Sequence, residues 1–149
     1  VFTRNALGEF ADKTAISDNE KSYSYKEVLS ATNRVANYLV SHNIAKEDVV
    51  TIYAARCASL VPAIMGVLKS GATFSVIDPA YPPQRQTIYL TVAQPKGLVI
   101  LADAGQLHPE VRAFVTEELT IRCELADFHI DRLGVLEDTP DTEPGVEVG

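Results

Sequence analysis

The run Leu68-Lys69-Ser70-Gly71-Ala72-Thr73-Phe74-Ser75-Val76-Ile77-Asp78-Pro79 changes its period partway along. Upstream, Leu60 to Leu68 is helix-length and apolar nearly all round, and Gly71 supplies the residue that tolerates the left-handed turn after a helix. Downstream, Thr73 to Ile77 is a short β-branched and aromatic run stopped by Asp78-Pro79. Val49-Val50-Thr51-Ile52-Tyr53, before the helix, is the same kind of run. Strands without polar alternation, joined by a helix, describe a parallel sheet covered on both faces.

The pattern continues outward. Pro83 opens a helix through Ile88 and Leu90 to Ala93, and Gly97 leads into the strand Leu98-Val99-Ile100-Leu101. A helix from Pro109 to Leu119 and a strand at Ile121–Leu125 follow. Upstream, Thr14-Ala15-Ile16 and Ser22-Tyr23-Ser24-Tyr25 make a hairpin around the turn residues Ser17 to Lys21. Ser24-Tyr25-Lys26-Glu27 is a capping box that starts a helix. Val28, Leu29, Thr32, Val35, Ala36, Leu39 and Val40 form its apolar stripe, with Asn33, Arg34, Asn37 and His42 off it. The expected fold is α/β: a mostly parallel sheet with helices on both faces and right-handed crossovers. Residues 1–125 form this unit. Residues 126–149 read as an acidic, largely irregular tail, because Asp138 to Gly145 is acidic and broken by prolines.

The 149 residues carry a net charge of −7, with 46% hydrophobic residues and two cysteines. Residues 1–102 hold ten basic and eight acidic side chains, and residues 103–149 hold three and twelve. Such a chain has no electrostatic reason to bind nucleic acid or an anionic membrane. No apolar run reaches the roughly 18 residues of a membrane span. Cys57 and Cys123 make no disulfide framework and suit a reducing, cytoplasmic setting. The start Val1-Phe2-Thr3-Arg4 is neither a Met start nor a secretory signal, so the chain reads as a piece of a longer polypeptide.

Chemistry-bearing motifs are sparse. Gly66 to Gly71 has the glycine spacing of a Walker loop, but Ala72-Thr73 stands where Lys-Ser/Thr is required, and there is no G-x-G-x-x-G. His42, His108 and His129 lack partners at metal-ligand spacing. No serine stands in a nucleophile-elbow pattern, and none follows Ser75. One geometric lead remains. Tyr53 and Arg56 follow one parallel strand, Asp78 and Tyr81 follow another, and the carboxyl ends of such strands face ligands. Arg56 can hold a carboxylate or phosphate and Asp78 can accept from a hydroxyl. Alternatively, Asp78-Pro79 and Tyr81-Pro82-Pro83 only set a rigid turn and a helix start.

The stretch from Leu68 to Pro82 resembles the second core motif of adenylate-forming enzymes, the L-K-A-G-x-x-x-V-P-I-D-P signature of nonribosomal peptide synthetase adenylation domains. Tyr23-Ser24-Tyr25-Lys26-Glu27-Val28 is similar to their first core motif. Ser75 departs from the usual valine-proline, and the variant Ala72 to Leu90 looks most like the fungal aminoadipate-reductase branch of that family. The resemblance implies the N-terminal part of the family's large subdomain, in a parent that uses ATP and Mg to turn a carboxylate into an acyl-adenylate. It implies phosphopantetheine and NADPH elsewhere in the parent, for thioester loading and reduction in lysine biosynthesis. The family's phosphate loop and catalytic lysine lie beyond the matched motifs, so no catalytic, cofactor-binding or metal residue transfers to this sequence, and none of these cofactors is expected on it. Implied partners are the rest of the adenylation domain and the carrier and reductase domains, with self-association through apolar surface left open. A peptide-synthetase or acyl-CoA-ligase domain, or a non-enzymatic α/β interaction module, are the competing readings.

Overall fold

The computed structural model describes residues 14–17, 22–55 and 57–130. The expected turn residues Asp18 to Lys21, the candidate Arg56 and the acidic stretch 131–149 lie outside these. Two short strands, β1 (Thr14–Ser17) and β2 (Ser22–Ser24), pair antiparallel. The chain passes directly into helix α1 (Tyr25–Ser41) through the capping box. Ser24 Oγ accepts from the Glu27 amide at 3.2 Å, and Glu27 Oε1 accepts from the Ser24 amide at 3.1 Å. Two amides that the helix cannot satisfy itself are thereby paired.

The remaining elements alternate: β3 (Val49–Tyr53), α2 (Leu60–Lys69), β4 (Thr73–Ile77), α3 (Pro83–Ala93), β5 (Gly97–Leu101), α4 (Pro109–Glu118) and β6 (Cys123–Phe128). A 3-10 turn, Ala102–Ala104, follows β5. Gly71, at φ 92°, follows the C-cap of α2 as its sequence position demands. Proline opens both α3 and α4, where its missing N–H costs nothing.

The four main strands form one parallel sheet in the order β4-β3-β5-β6. From β3 the chain steps outward to β4, then crosses back over β3 to β5 and on to β6. With right-handed crossovers, these opposite directions place α2 on one face and α3 and α4 on the other. Burial agrees. Val50, Ile52, Val99, Leu101 and Leu125 pack with Val28, Val35, Leu39, Ala63 and Val67 of α1 and α2. Tyr53, Ile77, Leu98 and Ile100 pack with Leu90, Val111 and Val115 of α3 and α4.

Helix α1 lies against α2 at Gly66. A Cβ built there would meet Val35 Cγ1 at 2.5 Å and Val35 Cβ at 2.6 Å. Gly66 is thus a packing residue inside a helix, not part of a phosphate loop. The contact also corrects the expected polar face of α1. Asn33 is only 4% exposed, and its Oδ1 accepts from Lys69 Nζ at 2.9 Å, while Val40 at the stripe's end is half-buried.

Two more expectations are adjusted. Strand β6 starts later than Ile121 and runs past Leu125 to Phe128. The pairing gains one residue between Val99↔Leu125 and Leu101↔Phe128, with Asp127 at φ 58°. That bulge breaks the apolar pattern although Phe128 and Ile130 are buried. Double coverage holds for β3 and β5 but not for β4, whose Thr73, Phe74 and Val76 are exposed. Among the described residues, no helix is long and apolar enough to cross a membrane.

Candidate functional site

The order β4-β3-β5-β6 reverses direction between β3 and β5, so a ligand-facing crevice is expected beyond the carboxyl ends of these strands. Three connections meet that edge: residues 54–55 and 57–59 after β3, 78–82 after β4 and 102–108 after β5. Of the four edge candidates read from sequence, Tyr53, Asp78 and Tyr81 are gathered near one another. Arg56 lies outside the described residues.

Each of the three is engaged within the fold. Tyr53 is 4% exposed at the end of β3. Burial pushes its phenol above the usual tyrosine range; the Gln86 side chain offsets part of the rise and the Asp78 carboxylate adds to it. Asp78 Oδ1 accepts from the Ala80 amide at 2.8 Å, and the Asp78 carbonyl accepts from the Tyr81 amide at 3.0 Å. This is the rigid Asp-Pro turn, the plainer of the two readings. The Tyr81 carbonyl accepts from Gln86 Nε2 at 2.8 Å. The Tyr81 ring lies 4.4 Å from the Arg85 guanidinium, whose Nε and Nη2 donate to Tyr89 Oη at 3.1 and 2.9 Å.

Three features escaped the sequence reading. Gln86, 2% exposed, ties α3 to the β4 turn. It shares an i, i+4 face with buried Leu90, which is the signal that could have found it. The Cys57 thiol is half-buried after β3, within electrostatic reach of Asp103 after β5. Burial pushes this thiol up, backbone hydrogen bonds offset some of that, and Asp103 raises it further. Its companion Cys123 is buried in the core and pushed up to about 11 by burial, so neither thiol is an activated nucleophile at neutral pH. Lastly, a cavity of about 780 Å³ opens at the carboxyl ends of β5 and β6, lined by Leu101, Gly105, Leu107, Pro109, Arg112 and Asp127 among others. Its cation is already matched, because Arg112 Nη1 and Nη2 donate to the Glu124 carboxylate at 2.6 and 3.0 Å.

The three described candidates are therefore committed to contacts within the fold. No phosphate-cradling glycine loop stands there, and no group of three or more His, Cys, Asp or Glu able to hold a metal occurs among the described residues. These residues do not fit a nucleotide with its magnesium ion, and no reaction step is assigned to them.

Comparison with known proteins gives the setting. The chain is 44% identical over 144 residues to the L-2-aminoadipate reductase large subunit of Candida glabrata, covering 92% of this chain and 10% of that protein. It is 47% identical over 144 residues to the L-2-aminoadipate reductase of Saccharomyces cerevisiae, with the same two coverages. The chain thus spans about a tenth of the length of these relatives. The anthranilate CoA ligase AuaEII, solved in complex with anthranoyl-AMP, superposes with a TM-score of 0.79 at 18% identity, over 99% of this chain and 28% of that one. That likeness is one of fold. The family described as AMP-binding enzyme matches residues 2–146, and the chain belongs to this family.

Proposed function

We propose that these residues are the opening scaffold of the adenylating portion of an L-2-aminoadipate reductase. The observation that carries this reading is the 44% and 47% identity to two such reductases across 92% of the chain. On this reading the whole protein activates the carboxylate of L-2-aminoadipate with ATP and Mg, loads the acyl group on a phosphopantetheine thiol, and releases it with NADPH as the semialdehyde. It works in the cytoplasm, in lysine biosynthesis. Its partners are the remainder of the adenylating domain and the carrier and reductase portions of the same polypeptide. The described residues contribute a folded wall: a sheet edge held by the Asp78 turn, by Gln86 and by the Tyr81–Arg85–Tyr89 stack.

The test is ATP–pyrophosphate exchange by the full-length protein across a panel of amino and dicarboxylic acids. L-2-Aminoadipate is expected to support the fastest exchange. Exchange with another acid and none with aminoadipate would overturn the assignment and favour a peptide-synthetase or acyl-CoA-ligase parent.

A further inference from the structure

Helix α3 meets the sheet along one narrow face, on which Gln86 and Leu90 are its buried residues. Leu90 packs with Tyr53, Ile77 and Leu98. Gln86, one turn earlier, carries a primary amide into the same layer. That amide has two N–H donors and one carbonyl acceptor to satisfy. Its Nε2 donates to the Tyr81 carbonyl at 2.8 Å, and a carbonyl can only accept, so the orientation of the amide is fixed. Its Oε1 points the other way, fully buried and without a hydrogen-bond partner among the described residues. Thr32 Oγ1 is in the same position, but a hydroxyl can turn its proton toward a carbonyl of its own helix. The Gln86 carbonyl has no such freedom.

Helix α3 starts at the carboxyl edge of the sheet, so Gln86 lies level with the strand ends, where Tyr53 closes β3. The Tyr53 phenol is near enough to the Gln86 side chain and to the Asp78 carboxylate for both to act on its proton. No hydrogen bond joins it to Gln86 Oε1. Three groups of complementary need therefore converge. Gln86 Oε1 only accepts, the Asp78 carboxylate has a second oxygen besides the one that takes the Ala80 amide, and the Tyr53 hydroxyl donates or accepts. Water, with two donors and two lone pairs, satisfies all three, and buried waters typically make about three such bonds. The enclosure of Oε1 also limits the size of its partner, because a group that reaches it has to fit inside the fold with it.

We infer that one ordered water is bound between the end of β3, the β4 turn and α3, donating to Gln86 Oε1 and accepting from the Tyr53 hydroxyl. It braces the ligand-facing edge by joining the three segments that meet there, and it stands independently of the substrate assigned above. The test is a crystal structure of the full-length protein at about 2 Å resolution or better. A water is expected within about 2.7–3.2 Å of both Gln86 Oε1 and Tyr53 Oη. A direct bond from Tyr53 Oη to Gln86 Oε1 overturns the inference, and so does any other group seated on Oε1 in place of water. Hydrogen exchange of α3 in full-length Tyr53→Phe reads the same point in solution. With water on Oε1, the α3 amides are expected to exchange within about threefold of the parent rate. A larger rise, toward the tenfold or more of a buried acceptor left unpaired, would make Tyr53 itself the partner and contradict the inference. Should that variant fail to fold, the structure of the unaltered protein still decides.

Discussion

Strands β4 and β5 are both five residues long, both rich in apolar residues, and both paired in parallel with β3. All of β5 is buried, whereas three residues of β4 are exposed. The difference lies in position, not in the run itself. The chain crosses over β3 to reach β5, so β5 acquires neighbours on both sides and a helical layer above and below. Among the described strands, β4 is left at the end of the sheet. Apolar runs of this kind announce a strand meant for burial on both faces. They are silent on where in the sheet the strand will lie.

The largest effect expected from this contrast is at the centre. Leu101→Ala removes a fully buried side chain from the α1/α2 face and is expected to cost about 2–5 kcal/mol. It would be read as lost exchange protection of the β3 and β5 amides in the full-length protein. A cost below about 1 kcal/mol would break the distinction between centre and edge. Measuring Val76→Ala in the same way sharpens it, since the exposed Val76 is expected to cost less than the fully buried Leu101.

A smaller effect belongs to the α1/α2 layer. Gly66→Ala gains up to about 1 kcal/mol of helix propensity. It also drives a methyl group into Val35 Cβ and toward the Thr32 carbonyl, neither of which can swing aside. Overpacking of this kind costs about 1–3 kcal/mol, so net destabilisation is expected. An unchanged or raised urea midpoint would show that the two helices separate easily, and would weaken the account of this layer as the firm side of the sheet.

Much of this fold is legible in the residues. The capping box places the start of α1, Gly71 places the end of α2, and proline starts α3 and α4. Each is a local device that acts within a few residues, so sequence order is enough to see it. Asn33 shows where that vision stops. Its burial depends on Lys69, which is 36 positions away and arrives only when α2 docks. The end of β6 is hidden for a related reason: the bulge at Asp127 interrupts the pattern, and only pairing with Leu101 shows that Phe128 belongs to the strand.

The edge residues were only partly legible. Strand ends mark Tyr53, Asp78 and Tyr81 as neighbours, and they are neighbours. Their committed partners, Gln86, the Ala80 amide and Arg85, lie on the following turn and helix and became visible through packing. The Ser75 departure from valine-proline also gains a physical setting. Its hydroxyl is hydrogen-bonded to that of buried Thr51 at 2.9 Å across the β3–β4 pair, so the polar group is matched where it enters the sheet.

On the proposed function, the central claim is that these residues shape the adenylating protein without taking part in its chemistry. It is tested most directly by the aminoadipate-dependent pyrophosphate exchange of the full-length protein carrying Tyr53→Phe together with Asp78→Asn. The account predicts a kcat/KM within about threefold of the parent, because both groups serve contacts inside the fold. A fall of about 100-fold or more, the scale of a lost general acid or base, with exchange protection of β3 and β5 unchanged, would contradict it.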